Sequence, residues 1–264
     1  MRNSTLGFER RTDPLFNLDE ESFVKEILRT VPPMPSYYPR MKELNARGAA
    51  AAASVPGVRP FTPEELDNLR KEDDVTILDL RGPEAFGGAH IAGAINIGAG
   101  QNLSLWAGWL LDAESCIVVV NDKGDDVESR KALVRVGLDH LVGYLAGGMP
   151  AWIDAGLPFS RTTQLATGEV DQCSEAAFVL DVRSDEEWKS GHIEGAQHIM
   201  LGDLPRKLSN LPKGRSIITV CGSGYRSSIA ASLLERSGIR DVSSMDGGMA
   251  AWAHQRRVTS GGSR

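Results

Sequence analysis

The chain repeats itself at an interval of about one hundred residues, and this repeat restricts the possible folds more than any other feature. Three pairs of short segments match in the same order, at offsets of 102, 102 and 100: residues 78–81 (Leu-Asp-Leu-Arg) with 180–183 (Leu-Asp-Val-Arg), residues 90–94 (His-Ile-Ala-Gly-Ala) with 192–196 (His-Ile-Glu-Gly-Ala), and residues 147–152 (Gly-Gly-Met-Pro-Ala-Trp) with 247–252 (Gly-Gly-Met-Ala-Ala-Trp). Matches that return in order predict two domains of one fold.

Each half alternates apolar runs with helical patterns. Residues 116–120 are a continuous apolar run of the kind that forms a parallel strand covered on both faces. Residues 217–220 are expected to form a short buried strand, and residues 75–78 form another strand. Residues 62–65 (Thr-Pro-Glu-Glu) have the pattern of a helix start, with Thr62 as the cap, and a second helix is expected at about 127–136. The fold class is therefore α/β: two tandem domains, each a mostly parallel sheet flanked by helices.

We expect three parts in the chain: an N-terminal extension and linker at residues 1–57, a first domain at 58–160 and a second domain at 161–264. In the extension, Asp19 is expected to cap a short helix, and residues 31–39 form a proline-stiffened extended arm. The apolar stripe of that helix is Phe23, Val24, Ile27 and Leu28. One helix and an arm cannot bury a core, so this segment must pack on something else.

A second short segment at about 41–45 leads to residues 48–53 (Gly followed by five Ala), which have the composition of a low-complexity linker. The boundary between the two repeats lies near Ser160.

Composition excludes several classes of protein. A formal net charge of −6 gives no reason to expect nucleic acid or an anionic membrane as a partner. Three cysteines are too few for a disulfide framework, and the five histidines include no closely spaced metal pair with acidic partners, so we expect no metal and no cofactor. Residues 1–14 contain Glu9 and Asp13 and lack the apolar run of a signal peptide. We expect a cytoplasmic protein, because a reducing compartment suits a working thiol.

A single cysteine, Cys221, separates the strand at 217–220 from a helical pattern that ends near Gly238. A strand that turns sharply into a helix directs backbone N–H groups at one spot, and the helix N-terminus adds partial positive charge there. Cysteines in such settings have a pKa of roughly 3.5–7.5. Gly222 and Gly224 leave the loop open, and Arg226 adds a full positive charge. This pattern predicts a nucleophile; the alternative is a small, inert core cysteine.

The repeat supplies an internal comparison for this loop. Asn121 stands opposite Cys221, and Asp126 stands opposite Arg226. The three aspartates of the first loop, Asp122, Asp125 and Asp126, would repel the anions that the second loop attracts. We expect the first domain to be catalytically inactive.

Both halves resemble rhodanese-homology domains, and the resemblance covers about residues 58–258. In the second half it rests on four spaced motifs: residues 181–183 (Asp-Val-Arg), 191–196 (Gly-His-Ile-Glu-Gly-Ala), 221–226 (Cys-Gly-Ser-Gly-Tyr-Arg) and 246–252 (Asp-Gly-Gly-Met-Ala-Ala-Trp). The resemblance implies a sulfurtransferase in which Cys221 carries a persulfide. Related phosphatases and arsenate reductases have a loop one residue longer, so the loop length here favours sulfane sulfur.

The N-terminal extension is similar to the C-terminal end of metallo-β-lactamase-fold enzymes that are fused to rhodanese domains. The likeness is carried by residues 23–45, with their Pro-Ser-Tyr-Tyr-Pro stretch. It implies that this chain corresponds to the rhodanese portion of such a fusion, with a remnant of the metal domain. The implied partner is a metallo-β-lactamase-fold persulfide dioxygenase or a second copy of this chain.

The resemblance also implies roles for the loop residues. Cys221 attacks the terminal sulfur of thiosulfate or a low-molecular-weight persulfide, and a thiol or cyanide then removes that sulfur. The backbone N–H groups of Gly222 to Arg226 stabilise the persulfide. Arg226 either donates to the loop carbonyls or clamps an anionic substrate. Ser223, Tyr225 and Ser227 are expected to line the mouth of the site.

Other repeated or isolated residues are expected to be structural. These are the Asp79 and Arg81 pair with its counterpart Asp181 and Arg183, the histidines His90 and His192, the anchors Trp152 and Trp252, and Cys116 in the core. Cys173 lies in a polar stretch and is expected to be exposed, as an incidental surface thiol rather than a sulfur acceptor.

Two other functions stay open. A cysteine-dependent phosphatase is opposed by the loop length and by the lack of an acid in the loop to protonate a leaving group. A non-enzymatic sulfide- or redox-sensing module would use Cys221 as an oxidisable switch.

Overall fold

The protein is represented by a computed structural model that describes residues 3–31, 33–48, 57–72, 75–174 and 176–261. It divides into two compact units, Met1–Pro35 and Ser36–Arg264. The first unit contains α1 (Leu6–Thr12), a 3-10 turn (Pro14–Asn17) and α2 (Glu20–Thr30). The predicted cap of α2 is confirmed, because the Ser22 N–H donates to Asp19 Oδ1 at 2.8 Å.

The apolar stripe of α2 is exposed. The side chains of Phe23, Val24, Ile27 and Leu28 are between 38% and 65% exposed. An apolar stripe of this size is favourable only when it packs on another surface. What covers it stays a prediction.

The second unit begins with α3 (Tyr38–Arg47). The extended arm predicted for residues 31–39 is therefore wrong at its end, because Tyr38 and Pro39 belong to the first turn of α3. Proline is well accepted in a first helical turn, where its missing N–H has no intrahelical partner in any case. Most of the predicted linker at 48–53 lies outside the described residues.

Two similar sets of elements follow. The first domain contains β1 (Arg59–Phe61), α4 (Pro63–Glu72), β2 (Val75–Asp79), α5 (Pro83–Gly88), β3 (Ile95–Asn96), α6 (Leu103–Leu110), β4 (Cys116–Val120), α7 (Val127–Val134), β5 (Leu141–Leu145) and α8 (Gly148–Asp154). The second domain contains β6 (Thr163–Leu165), α9 (Thr167–Cys173), β7 (Phe178–Asp181), α10 (Asp185–Lys189), β8 (Gln197–His198), α11 (Leu204–Lys207), β9 (Ile217–Val220), α12 (Tyr225–Arg236), β10 (Val242–Met245) and α13 (Gly248–Gly261).

The two sheets have the same topology. Their strand orders are β1-β5-β4-β2-β3 and β6-β10-β9-β7-β8, and all neighbouring strands are parallel. The predicted fold class is confirmed. Among the residues that the structure describes, no helix is both long and apolar enough to cross a membrane.

A local signal predicted the start of α4. The capping box of α4 is present, since the Thr62 N–H donates to Glu65 Oε2 at 2.9 Å and the Glu65 N–H donates to Thr62 Oγ1 at 3.2 Å. The prediction that Cys116 lies in the core is wrong, because this first residue of β4 is exposed and burial begins at Ile117. Cys173 is exposed, as expected.

The repeated acid–arginine pairs are structural, as predicted. Arg81 Nη2 lies 2.6 Å from Asp79 Oδ2, and Arg183 Nη2 lies 2.7 Å from Asp181 Oδ2. All four side chains are buried, and each arginine also donates to a backbone carbonyl, that of Ala89 in the first domain. Buried charges are tolerated when they are paired and hydrogen-bonded in this way.

The repeated tryptophans anchor α8 and α13, as predicted. Trp152 and Trp252 are both buried. Their indole N–H groups donate to the carbonyl of Pro158 at 3.0 Å and to the carboxylate of Asp171 at 3.1 Å. The large apolar ring is buried and its one polar group is satisfied in each domain.

The repeated histidines have diverged. His90 is buried, stacks on Phe86 with ring centroids 3.9 Å apart, and places Nε2 3.1 Å from Oε2 of Glu235 in the second domain. His192 stacks on Trp188 at 3.5 Å but is exposed. Both histidines were expected to be structural. His90 makes a contact between the two domains, whereas the ring of His192 stacks within the second domain.

Helix α12 joins the two domains. It packs on β9 and β10 of its own sheet and on β3 of the first domain. Eight consecutive residues of α12 are buried: Ser227, Ser228, Ile229, Ala230, Ala231, Ser232, Leu233 and Leu234. Apolar side chains of both domains, including Ile95 and Ile229, belong to one continuous cluster. A helix that is buried all round needs covering on more than one face, and the first domain supplies part of it.

Asn96 of β3 is the polar centre of this interface. The Ser228 hydroxyl donates to Asn96 Oδ1 at 2.6 Å, and the Asn96 N–H donates to Ser232 Oγ at 3.0 Å. The Asn96 amide nitrogen donates to the carbonyls of Asp79 at 3.1 Å and Arg81 at 2.9 Å. Since Asn96 is only 1% exposed, water cannot replace these partners.

We predict that Asn96→Ala lowers the free energy of unfolding by about 2 to 4 kcal/mol, because the variant removes the acceptor of the buried Ser228 hydroxyl and the side-chain donor of the Arg81 carbonyl. Chemical denaturation measures the change. Asn102→Ala is the matched control, since Asn102 is exposed and makes no side-chain cap to α6. A loss in Asn96→Ala no larger than that of the control would contradict the prediction.

Candidate active site

Cys221 follows β9 directly, and the chain then turns into α12. The turn depends on Gly224, whose φ of 97° lies in the left-handed region that favours glycine. This conformation directs the Gly224 N–H at Cys221 Sγ, at 3.2 Å. Several loop N–H groups were predicted to surround the sulfur. Among the described residues, the Gly224 N–H is the one that lies within hydrogen-bond distance of Cys221 Sγ. A donated hydrogen bond stabilises a thiolate or persulfide anion at this atom.

A chain of hydroxyl groups lies beneath the sulfur. Ser227 Oγ is 3.5 Å from Cys221 Sγ, donates to the Gly224 carbonyl at 3.0 Å and accepts from Ser244 Oγ at 2.9 Å. Cys221, Ser227 and Ser244 are all fully buried. The prediction that Ser227 lines the mouth is therefore wrong, because its position in the first turn of α12 faces the sheet. Ser227 holds the loop from below.

Tyr225 is also placed differently from the prediction. Its hydroxyl donates to the carbonyl of Gly98 in the first domain at 2.8 Å, and burial raises the pKa of Tyr225 to about 12. A Cβ added at Gly98 would approach the tyrosine ring to 3.1 Å, so glycine there leaves room for the ring. Tyr225 fixes the start of α12 to the first domain instead of lining the mouth.

Arg226 pairs with a residue that the sequence analysis did not single out. Its Nη1 and Nη2 donate to Glu187 Oε2 and Oε1 at 2.6 Å and 2.7 Å. These hydrogen bonds lower the pKa of Glu187 to about 2 and raise the pKa of Arg226. The guanidinium therefore binds a carboxylate on α10 and not the loop carbonyls, which were one of the two partners expected for it.

Glu187 carried one signal in the sequence. Residues 184–187 (Ser-Asp-Glu-Glu) have the spacing of a capping box, and the structure forms it, with the Ser184 N–H donating to Glu187 Oε2 at 3.1 Å. A cap predicts a helix start only. The second role of Glu187, toward Arg226, depends on how α10 lies beside the cysteine loop.

The crest of the loop is the accessible part. Ser223 is exposed and Gly222 is half-buried. A Cβ added at Gly222 would lie 3.0 Å from Arg226 Nη2 and 3.4 Å from Glu187 Oε1, so the ion pair rests against this glycine. The structure thus brings Cys221, Gly222, Gly224, Arg226 and Ser227 together, and it places Ser223 at the surface.

The start of α13 supports the loop, and this contact was not predicted. The Met249 and Ala250 N–H groups donate to the carbonyls of Cys221 at 2.7 Å and Gly222 at 3.0 Å. A Cβ added at Gly248 would lie 2.5 Å from the Cys221 carbonyl oxygen, which only glycine avoids. The repeated Gly-Gly pair was the available signal, since residues 147–148 hold the same position at the start of α8.

In the first domain a side chain occupies the equivalent position. Asn121 Oδ1 accepts the N–H groups of Lys123 at 2.9 Å and Gly124 at 2.8 Å, and Asn121 Nδ2 donates to the Gly124 carbonyl at 2.9 Å. Asp126 caps α7 by accepting the N–H of Ser129. The loop that surrounds sulfur in the second domain is here closed by the amide of Asn121.

Within the described part of the chain, no group of three or more His, Cys, Asp and Glu side chains is arranged to hold a metal ion.

Several known proteins are similar to parts of this chain. The provisionally named sulfurtransferase YtwF of Bacillus subtilis is 38% identical over 87 residues, which are 33% of this chain and 84% of YtwF. The provisionally named sulfur carrier protein YrkF of the same organism is 36% identical over 78 residues, 30% of this chain and 42% of YrkF. The chain thus spans less than half the length of YrkF.

Among solved structures, a thiosulfate sulfurtransferase of Pseudomonas aeruginosa is 22% identical, with a TM-score of 0.33, over 75% of this chain and 43% of that chain. The family model for the rhodanese-like domain matches residues 62–155 and 164–255. The two matches together cover more than half of the chain. The chain therefore belongs to the rhodanese-like domain family, with two such domains in tandem.

Proposed function

We propose that the protein is a sulfurtransferase that carries sulfane sulfur as a persulfide on Cys221. The donor is thiosulfate or a low-molecular-weight persulfide, and the acceptor is a thiol or cyanide. The observation that carries this proposal is the sulfur of Cys221 at the end of β9, with the Gly224 N–H directed at it from 3.2 Å. Membership of the rhodanese-like family and the names of the relatives support the same reaction class.

The reaction is two nucleophilic displacements at sulfur. The Cys221 thiolate attacks the outer sulfur of thiosulfate, a new S–S bond forms, and the bond to the inner sulfur breaks so that sulfite leaves with the electron pair. From a persulfide donor, the carrier thiolate leaves instead. The acceptor then attacks the outer sulfur of the Cys221 persulfide and restores the thiolate. The N–H of Gly224 stabilises the anion at each stage.

The neighbouring residues have distinct parts in this proposal. Cys221 is the nucleophile, and Arg226 supplies the positive charge beside the loop. Gly222 and Ser223 form the accessible crest over which substrates enter. Ser227 holds the loop through its bond to the Gly224 carbonyl, and Tyr225 fixes the loop to the first domain through Gly98.

We propose that the first domain is catalytically inactive and structural. Two observations support this. An amide replaces the thiol at Asn121 and already accepts two loop N–H groups, and the first domain covers α12 through β3.

The N-terminal segment and the location of the protein belong to the same proposal. The exposed apolar stripe of α2 gives this segment a surface for a partner, for which we propose a metallo-β-lactamase-fold persulfide dioxygenase or a second copy of the chain. We propose a cytoplasmic location because a persulfide carrier needs a reducing compartment.

We predict that the wild-type protein gains one sulfur, about 32 Da, on treatment with thiosulfate or glutathione persulfide, and that Cys221→Ser gains none. Added thiol removes the sulfur, because the acceptor thiolate attacks the persulfide. Intact-mass spectrometry before and after treatment measures both steps.

The control is the double variant Cys116→Ser and Cys173→Ser, which removes the two exposed thiols and keeps Cys221. It is expected to gain the sulfur as the wild type does. A persulfide that forms once and is not turned over by cyanide or thiol would instead indicate a sensor. An unmodified Cys221 with activity on a phosphate ester would indicate a phosphatase.

The ion pair between Arg226 and Glu187 predicts a stability difference at acidic pH. Folding lowers the pKa of Glu187 from 4.5 to about 2, so its contribution to stability is fully present above pH 4.5 and is lost as pH falls toward 2. The difference in unfolding midpoint between wild type and Glu187→Gln should be constant from pH 7 to about 5 and shrink below that.

Urea denaturation at a series of pH values measures this difference. Glu186→Gln is the control, because Glu186 is an exposed neighbour on α10. A difference for Glu187→Gln that already disappears near pH 6 would contradict the assigned ion pair.

A further inference from the structure

The positive charge of the cysteine loop, on Arg226, is paired with the carboxylate of Glu187. Both terminal nitrogens of Arg226 donate to the two oxygens of Glu187, in a two-point geometry that is stronger than a single contact. The Arg226 and Glu187 side chains are 23% and 38% exposed, so solvent reaches this pair where it rests against Gly222. An anion that seeks Arg226 must first compete with Glu187.

The other charged groups around the loop do not replace Arg226. Asp181, which acts electrostatically on Arg226, is itself paired with Arg183. Asp246 adds a further negative charge, with its Oδ1 4.0 Å from the position of a Cβ added at Gly224. A small dianion therefore meets a mouth at which the arginines are already neutralised.

The first domain lacks both members of the pair. Phe86 and Trp188 stack on the equivalent histidines of the two domains, which places Ala85 opposite Glu187 at the offset of 102. Asp126 stands opposite Arg226. Helix α5 forms with Ala85 at this position, so the fold does not require the pair. The Arg226–Glu187 pair lies beside Cys221 and has no counterpart at Ala85 and Asp126, so we connect it with the chemistry of the second domain.

The two donor classes differ in how much they need a free cation. Thiosulfate enters with two negative charges and releases sulfite, which also carries two, whereas a persulfide on a thiol releases a thiolate with one. We propose that Glu187 is a specificity-determining residue that keeps Arg226 from small inorganic dianions, so that the preferred donor is a persulfide carried on a thiol. This inference rests on the proposed sulfur-transfer function and names its donor class.

The test is the variant Glu187→Gln, which removes the charge and keeps an oxygen to accept the Ser184 N–H of the capping box. Steady-state kinetics are measured with thiosulfate and with glutathione persulfide, using cyanide as the acceptor. The expected result is a KM for thiosulfate about two- to tenfold lower than in the wild type, with kcat less affected. The KM for glutathione persulfide should change less than about twofold.

Two further variants keep the test decisive. Glu186→Gln makes the same charge change on the exposed neighbour and should leave both KM values unchanged. Glu187→Ala reproduces the residue found at Ala85 in the first domain, and it replaces Glu187→Gln if that variant does not fold. An equal gain for thiosulfate in Glu186→Gln would overturn the inference, since net charge alone would then explain the effect.

A second result would also contradict the inference. If Glu187→Gln and Glu187→Ala lose activity equally with both donors, Glu187 supports the loop and does not select the donor. Intact mass separates this outcome from failure of the proposed function. Wild-type protein that forms a persulfide while the variants show no donor-specific change overturns this inference alone, whereas wild-type protein that forms none removes both.

Discussion

Helix α12 is buried between the two sheets, and the position of the sulfur loop depends on that burial. The helix starts directly after the loop, and both domains hold its first turn: Ser227 bonds within the second domain, while Tyr225 and Ser228 bond to Gly98 and Asn96 of the first. Each fully buried leucine or isoleucine on such a helix contributes about 1.5 to 3 kcal/mol. The helix, and with it the N–H directed at Cys221, is therefore positioned by two domains together.

The charged side chains near the loop are paired, because their surroundings are largely apolar. A buried charge is costly unless a partner compensates it, and Asp181 with Arg183 meets this requirement as a fully buried pair. Arg226 with Glu187 is more exposed, so solvent screens this pair more than it screens the buried one. For this pair we propose a role toward the sulfur donor in addition to its contribution to folding.

The repeat separates what the fold requires from what the chemistry requires. Both domains keep the sheet order and the glycine at the start of the final helix, because Gly148 and Gly248 let the backbone approach Asn121 and Cys221. The first domain has exchanged the thiol for an amide that bonds its own loop. The same backbone thus supports either a loop that directs an N–H at a buried thiol or a loop closed by an amide, and the difference lies in a few side chains.

The sequence by itself determined the two-domain α/β fold, the helix caps at Asp19 and Thr62, and the loop that carries Cys221, because periodicity and capping act over a few residues. It left undecided which way individual side chains point and what they meet across the chain. Tyr225 and Ser227 were expected at the mouth and lie at the domain interface and beneath the loop, and Arg226 met Glu187, 39 positions away in the chain. The contacts of Tyr225 and Arg226 join residues distant in sequence, so only the packing of α10, α12 and the first domain around the loop decided them. The place of Ser227 depended on which face of α12 lies against the loop and the sheet.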